Sequence, residues 1–305
     1  MIKRIDEFLA HAAAMVVAAF VTFSAFGAMA AEQVSLRLDW VNSGYHAIWY
    51  YGMDKGIFAK DGIDLTVLQG NGSTVTAQTV GNGSVMFGTA DTAAVMGLVS
   101  QGMPVKMVAG YLRESPLALI VPASKGWKNF ADLQDAKIGW SAGGATSQML
   151  PALLKSAGAK VQLINMEPAA KMTALLTGRV DGIDSFDFLM VPILENKGLK
   201  VATLPYADAG VNVPGLSLIA SDELIKNNPA LVRKMIGAMD ASITAARRDP
   251  ESAIGSLMQR SPTLDRKAQL QILMGSFKLL DPSWAKGKPL AWMSPEIIAK
   301  AQDIL

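Results

Sequence analysis

The chain of 305 residues contains no cysteine, which excludes disulfides, thiol catalysis, cysteine metal sites and a lipid anchor on an N-terminal cysteine. Charged residues make up only 18% of it, and the net charge of +2 is too small and too dispersed for a nucleic-acid surface. With two histidines, His11 and His46, no histidine-rich metal cluster and no serine–histidine–aspartate set is visible. We therefore expect no catalytic residues, no metal, no cofactor and no nucleic-acid partner.

Long apolar runs are also scarce, and none that follows the N-terminus is long enough to cross a membrane. A basic start precedes an uncharged run at residues 12–31, which contains the small-x-small sequence Ala28-Met29-Ala30. This order is typical of a secretion signal, although about 20 apolar residues would also suffice for an uncleaved membrane anchor. We expect residues 1–30 to be a signal peptide and the mature protein to be a soluble periplasmic monomer.

Aromatic residues form only 7% of the chain, yet five of the eleven Trp and Tyr residues fall between residues 38 and 51. An apolar-alternating strand leads into this stretch, and a helical pattern follows an Asn-Ser-Gly turn. Ligands of open α/β sheets bind at the carboxyl ends of strands, where rings and an imidazole suit a planar polar molecule. An amphipathic helix that uses Trp49 and Tyr50 as core residues is the alternative. The ligand-binding candidates of this stretch are Trp40, Asn42 and His46.

Strand and helix patterns alternate along residues 34–109 and again along residues 117–220, after which only helical patterns follow. This alternation predicts an α/β protein with parallel-dominated sheets and helices on both faces. The regularity lapses at residues 111–116 and 205–214, which we interpret as two crossings of a hinge between two lobes. The expected boundaries are residues 31–112 with 214–305 for lobe 1, and residues 113–213 for lobe 2.

Three turns rich in glycine, serine and threonine follow predicted strands and open helices. The N–H groups of such helix starts would point into the cleft between the lobes and favour oxygen atoms. None of the turns contains Lys or Arg, which argues against a doubly charged anion, because such a ligand normally recruits an arginine fork. The candidates in these turns are Gly72, Ser73, Thr74, Asp91, Thr92, Ser141 and Thr146.

A short strand followed by a carboxylate near a helix start occurs twice. Gly83-Ser84-Val85 leads to Asp91, and Gly178-Arg179-Val180 leads to Asp187 with a spacing that is one residue longer. Two facing lobes would bring both carboxylates to one cleft. Stabilisation of the helix start, worth under about 1 kcal/mol, would also explain either residue. Phe186 gives Asp187 a mixed polar and aromatic setting, which favours Asp187 over Asp91 as a ligand contact. We predict that Asp91, Phe186 and Asp187 all bind the ligand and that Asp187 accepts a ligand N–H.

Six segments occur in a fixed order between residues 35 and 210. They are LDW-x5-HA from residue 38, DKGIFAKDGIDLTV from 54, NGSTVTAQTVGNGSVMFGTAD from 71, GMPVKMVAG from 102, FADLQDAKIGW from 130 and LLTGRVDG from 175. As a set they resemble the solute-binding proteins of the nitrate/sulfonate/taurine and thiamine-pyrimidine-precursor group. The resemblance implies a type II periplasmic binding protein fold of two lobes that closes on a small molecule. It also implies an ABC permease and an ATPase as membrane partners.

The Leu-Asp-Trp start is most similar to the branch that binds thiamine precursors, such as formylaminopyrimidine, and riboflavin-type molecules. In that branch the Trp, the His and the Gly-Ser-Thr turn line the ligand, which implies Trp40, His46 and residues 72–74 here. The chain departs from the branch at residues 42–43, where Pro-Asn is usual, and at Asp187, where a Glu often follows an Asn. A pyrimidine-type ligand is the leading prediction, and an alkanesulfonate, taurine or nitrate is the alternative.

Two other classes of function compete with solute binding. A fungal pyrimidine synthase resembles the same family, but it uses a histidine as its own substrate together with a cysteine-rich motif. The absence of cysteine and the export signal argue against that enzyme. A ligand-sensing module that docks to a membrane receptor is the third hypothesis, and it would need a receptor on a separate chain.

Overall fold

The computed structural model describes residues 31–141, 149–289 and 291–304. Residues 33–305 belong to one compact unit, and the other unit, residues 1–32, consists almost entirely of residues outside the described ranges. The predicted signal peptide and Thr146 therefore lie outside the described residues. Among the residues that are described, no helix has the length and apolar character needed to cross a membrane.

The described strands form two five-stranded sheets. The first sheet contains β1 (Glu32–Arg37), β2 (Ile63–Leu68), β3 (Phe87–Asp91), β4 (Val105–Gly110) and β10 (Leu216–Ser221). The second contains β5 (Leu117–Pro122), β6 (Ala136–Trp140), β7 (Val161–Asn165), β8 (Gly182–Phe186) and β9 (Val201–Pro205). Their orders are β2-β1-β3-β10-β4 and β7-β6-β8-β5-β9, so β3 and β8 occupy the centres of the two sheets.

Helices connect the strands and cover the sheets. The α-helices are α1 (Ala47–Asp54), α2 (Ile57–Lys60), α3 (Ser73–Gly81), α4 (Thr92–Ser100), α5 (Met149–Ser156), α6 (Pro168–Leu176), α7 (Asp187–Asn196), α8 (Asp222–Asn227), α9 (Pro229–Arg248), α10 (Pro250–Arg260), α11 (Arg266–Leu280) and α12 (Pro295–Ile304). Short 3-10 helices cover Gly44–His46, Ala123–Lys125, Phe130–Asp132, Tyr206–Ala209 and Ser283–Ala285.

Each sheet contains one strand that runs against its neighbours, and it is the strand that follows a crossing. β10 is antiparallel to β3 and β4, and β5 is antiparallel to β8 and β9. By contrast, β1 is parallel to β3, and β6 is parallel to β7 and β8. A chain that crosses at the carboxyl ends of parallel strands enters the next sheet from that edge, so its first strand there is antiparallel to the strands beside it. The prediction of α/β sheets dominated by parallel strands is confirmed, and both sheets are mixed.

The stretch rich in Trp and Tyr folds differently from the single predicted helix over residues 45–60. Gly56 adopts a left-handed backbone (φ 66°), which separates α1 from α2 because the helical path cannot continue through that conformation. Trp49 is fully buried, with its ring 6.1 Å from the Phe58 ring and 6.2 Å from the Tyr111 ring. Trp49 is therefore a core residue, and Tyr50 is buried with it.

Candidate functional site

The loop after β1 and the turn before α3 lie against each other at the carboxyl end of the first sheet. The Gly70 N–H donates to the Trp40 carbonyl at 3.0 Å, and the Gly72 N–H donates to the Asp39 carbonyl at 2.9 Å. A Cβ atom at Gly70 would lie only 1.9 Å from the Leu38 carbonyl oxygen, so this approach requires glycine. We call Trp40, residues 70–74 and Asp91 the strand-end surface.

Trp40 and Thr74 are the half-buried predicted residues of the strand-end surface. Val41, the neighbour of Trp40, is 50% exposed, so this part of the loop presents apolar area to solvent. Ser73 is buried, and its hydroxyl accepts the Asp91 N–H at 3.0 Å, which ties the turn to the end of β3. A planar ligand would thus meet the Trp40 ring before any other large side chain of this surface.

Replacing the Trp40 ring tests whether it contacts the ligand. Trp40→Ala should weaken binding at least several-fold, because a desolvated ring–ring contact adds about 0.5–1.5 kcal/mol beyond area burial. The half-buried Trp127, which lies between β5 and β6, is the matched control, and Trp127→Ala should leave the affinity unchanged. Isothermal titration calorimetry measures both variants. Equal affinities for the two would remove Trp40 from the site.

His46 is fully buried, and both of its ring nitrogens are engaged inside the protein. The Ser43 N–H donates to Nδ1 at 3.2 Å, which assigns the ring proton to Nε2, and Nε2 lies 3.1 Å from Asp39 Oδ1. The Asp39 carboxylate also accepts the Tyr45 hydroxyl at 2.7 Å and the Thr89 hydroxyl at 2.8 Å. His46 thus orients Asp39, a residue that was not among the predicted ligand contacts.

Asn42, Thr92 and Ser141 also direct their polar groups into the scaffold. The Asn42 side chain donates to the Ser261 hydroxyl at 2.8 Å and accepts the Tyr50 hydroxyl at 2.5 Å. The buried Thr92 hydroxyl donates to the Gly215 carbonyl at 2.7 Å, just before β10. The Ser141 hydroxyl donates to the Met166 carbonyl at 2.9 Å. These three residues hold the loops around the site in position.

Asp91 ends β3 and caps α4 from a fully buried position. Its Oδ1 accepts the Ala93 N–H at 3.0 Å, as expected for an N-cap aspartate, but its buried Oδ2 has no hydrogen-bond partner among the described residues. Burial, with a smaller contribution from the nearby Asp39, raises the pKa of the Asp91 carboxyl to about 8, although the N–H groups of Ala93 and Ala94 oppose the shift. The carboxyl is therefore mostly protonated at neutral pH.

Asp187 begins α7 directly after Phe186, the last residue of the central strand of the second sheet. Its Oδ1 accepts the Phe188 N–H at 2.5 Å. Burial raises the pKa of the Asp187 carboxyl, and the backbone N–H groups of Phe188 and of Asp187 itself oppose that shift. Asp187 is half-buried, so its carboxyl remains within reach of a solute.

The ends of the central strands β3 and β8 have the same hydrogen-bond pattern, although Asp91 and Asp187 do not occupy equivalent positions in it. Leu216 pairs with Asp91 in the first sheet, and Leu117 pairs with Phe186 in the second. The Thr92 N–H donates to the carbonyl before Leu216, and the Asp187 N–H donates to the carbonyl before Leu117, both at 2.9 Å. The register therefore makes Phe186 equivalent to Asp91 and Asp187 equivalent to Thr92. The two carboxylates are offset from each other by one residue.

Phe188 joins the two halves of the site. Its ring lies 5.6 Å from the Tyr45 ring at 82° and 5.9 Å from the Phe186 ring. A Cβ atom at Gly275 would come within 3.0 Å of the Phe188 Cβ, so α7 packs closely on α11. The second-sheet residues thereby lie next to the Tyr45–Asp39 pair. The only sequence signal for Phe188 is its place beside Phe186 and Asp187.

Two basic residues near these elements were not predicted. Arg37, at the end of β1, donates from Nη2 to the Asn71 side chain at 3.1 Å, and its buried Nε has no partner in the described part of the chain. Lys171 is buried and donates to the carboxylate and the carbonyl of Asp184, both at 2.8 Å. The turns themselves contain no basic residue, but Arg37 reaches one of them from the neighbouring strand. The charge of Lys171 is neutralised by its partner.

Comparisons of the sequence with known proteins identify its family. The sequence model described as NMT1/THI5 like matches residues 43–253. The chain is 26% identical over 230 residues to a putative binding protein of Brucella abortus, covering 73% of this chain and 70% of that protein. It is 22% identical over 297 residues to the 4-amino-5-hydroxymethyl-2-methylpyrimidine phosphate synthase THI5 of Saccharomyces cerevisiae, covering 89% and 87%.

Comparison with a solved structure identifies the fold. The alkanesulfonate-binding protein SsuA of Xanthomonas axonopodis pv. citri, bound to MOPS, superposes with a TM-score of 0.68 at 16% sequence identity. The superposition covers 88% of this chain and 89% of that protein. The predicted two-lobe fold of a periplasmic binding protein is thereby confirmed.

Proposed function

The chain belongs to the NMT1/THI5-like family, and we propose that it is the solute-binding component of an ABC importer that captures a pyrimidine-type heteroaromatic molecule. The main support is a pair of carboxyls. Asp91 ends β3, the central strand of the first sheet, with an Oδ2 that has no partner among the described residues, and the half-buried Asp187 follows β8, the central strand of the second sheet. Amino groups and ring nitrogens are the natural partners of such carboxyls. The half-buried Trp40 ring supplies a stacking surface for the same molecule.

An alkanesulfonate, taurine or nitrate is the second candidate, and Arg37 is the observation that favours it. The unpartnered Nε of Arg37 and the N-terminus of α3 would both attract an anion. Against this, Arg37 already binds Asn71, and Asp187 would repel an anion that reached the second sheet. The likeness to an alkanesulfonate-binding protein at 16% identity extends to the fold and not to the ligand.

Binding is proposed in preference to pyrimidine synthesis. The yeast relatives are named synthases, whereas the Brucella relatives are named binding proteins. His46, the only histidine among the described residues, already binds Ser43 and Asp39 through its two ring nitrogens, and the chain has no cysteine. A buried imidazole with both nitrogens engaged is poorly placed to become a substrate.

The remaining parts of the proposal follow from an importer function. We propose export by residues 1–30 and action in the periplasm as a monomer, with an ABC permease and its ATPase as partners. We also propose that lobe 1 comprises residues 31–112 and 214–305 and lobe 2 residues 113–213. The sheet membership of β4, β5, β9 and β10 supports these boundaries, because the chain changes sheet between β4 and β5 and between β9 and β10.

A binding panel with an Asp187 variant tests the proposed ligand class. Calorimetry with 4-amino-5-hydroxymethyl-2-methylpyrimidine, taurine and nitrate should detect binding of the pyrimidine alone. Asp187→Asn should weaken that binding several-fold, because the side-chain amide presents one acceptor oxygen in place of two. The exposed Asp208 provides the control, and Asp208→Asn should bind like the wild type. Tight binding of taurine with no binding of the pyrimidine would refute the proposed ligand.

A further inference from the structure

The Asp91 carboxyl is buried but only half satisfied. Its Oδ1 caps α4 through the Ala93 N–H, while Oδ2 has no partner among the described residues and no access to bulk water. An unpaired buried polar atom costs about 1–3 kcal/mol, and native proteins rarely keep one without a use. Asp91 also lies next to Ser73, at the strand-end surface where the ligand is proposed to bind.

The groups around Asp91 differ from those around Asp39. Asp39 accepts hydrogen bonds from Tyr45, Thr89 and His46, so both of its carboxyl oxygens have partners. Asp91 receives one side-chain-to-backbone bond and lies within the field of Asp39, so two charges at this place would repel each other. The titratable and charged groups of the surrounding elements are Arg37 at the end of β1, Asp39, Tyr45 and His46 before α1, Tyr111 after β4, and Asp187 at the start of α7. The helices α3 and α4 and the strand β10 contain none.

We propose that Asp91 is a specificity-determining residue that donates the hydrogen on its Oδ2 to an unprotonated acceptor of the ligand, a ring nitrogen or a carbonyl oxygen. The site would then favour molecules with a free acceptor at that atom, because an atom that already carries a proton cannot accept the Oδ2 hydrogen. This inference rests on the proposed function and adds the protonation state of the ligand to it.

Loss of the Asp91 proton should weaken binding. Since the pKa of this carboxyl is about 8, the protonated fraction falls about tenfold between pH 7 and pH 9, and affinity should fall by the same factor. Calorimetry with the full chain and 4-amino-5-hydroxymethyl-2-methylpyrimidine measures this ratio. Asp187→Asn should keep the ratio while lowering both affinities, which separates the two carboxyls.

Two variants separate donation from capping. Asp91→Asn retains an N-cap oxygen and places an N–H donor at the Oδ2 position, so it should bind more tightly than Asp91→Ser at pH 7 and keep the same affinity at pH 9. Asp91→Ser also retains the cap but cannot reach the ligand, so it should lose at least tenfold in affinity at pH 7. Circular dichroism melting of both variants shows whether they are folded.

Four outcomes would overturn the inference. A pyrimidine that binds the wild type equally at pH 7 and pH 9, or folded Asp91→Ser with unchanged affinity, would refute the role of Asp91 and leave the proposed function standing. An Asp91→Asn variant that loses affinity as strongly as Asp91→Ser would show that donation is not what the carboxyl provides. Absence of pyrimidine binding at either pH would refute the proposed function together with this inference.

Discussion

Asp39→Ala is expected to lower the free energy of unfolding by about 3–5 kcal/mol, because it leaves several buried donors without an acceptor at a cost of about 1–3 kcal/mol each. Those donors are the Tyr45 hydroxyl, the Thr89 hydroxyl and the His46 Nε2–H. Ligand binding should weaken as well, because the Asp39 carboxylate links the loop before α1 to Thr89, two residues before Asp91. Urea denaturation followed by circular dichroism measures the change in stability.

Asp64 gives the matched control for this experiment. It belongs to β2 of the same sheet, is exposed, and accepts a single side-chain hydrogen bond from Gln33. Asp64→Ala should change the free energy of unfolding by no more than about 0.5 kcal/mol, as is usual at exposed positions. If Asp39→Ala and Asp64→Ala proved equally mild, the buried network would not carry the stability assigned to it.

Arg113→Met is expected to lower the free energy of unfolding by about 2–4 kcal/mol, since it removes several charge-assisted hydrogen bonds from a buried position. The guanidinium is fully buried and donates to the carbonyls of Leu280 and Pro289, at 2.5 and 3.0 Å, and to Asp281 at 3.0 Å. Arg113 follows β4 at the first crossing, so the bonds fasten the hinge to the segment after α11. Methionine keeps much of the apolar stem and isolates the loss of the charged head.

Arg247 is the control for Arg113, because it pairs with the same carboxylate from a more exposed place. Its Nη1 lies 2.5 Å from Asp281 Oδ2, and its side chain is 27% exposed. A partly solvated ion pair contributes about 0–1 kcal/mol, so Arg247→Met should be the milder change. A thermal melt that ranked Arg247→Met as more damaging would contradict the assigned role of Arg113.

Local sequence patterns predict the bounds of a helix or strand correctly where residues close in the chain fix its ends. The sequence pattern predicts helices over residues 168–176 and 187–196, which are the observed bounds of α6 and α7. Pro168 starts the first of these and Asp187 the second, and both residue types favour the first turn of a helix. The pattern also predicts a strand at residues 85–87, whereas β3 spans Phe87–Asp91, because β10 pairs with it as far as Asp91.

Sequence reasoning about the site identified residue types and could not identify their partners. Asn42 and His46 have the chemistry of ligand contacts, yet Asn42 binds Ser261, which is 219 positions away, and His46 binds Asp39. Asp39 and Phe188 were not among the candidates, because an aspartate in a loop and a phenylalanine on an apolar helix have no distinctive local pattern. Whether a polar group is free for a solute depends on contacts between distant segments.

The sequence by itself determined that this protein has no thiol chemistry, that strand and helix alternate into two α/β halves, and that each half has a carboxyl near a helix start after a short strand. Composition, periodicity and helix-start residues are local properties, so the chain order alone reveals them. Only the tertiary structure decided which groups these carboxyls meet. Asp39 accepts hydrogen bonds from the adjacent Tyr45 and His46 and from the distant Thr89, whereas Asp91 is buried with one oxygen that has no partner in the described part of the chain, and burial raises its pKa to about 8. Burial and distance from other charges set a protonation state, and both exist only after the chain has folded.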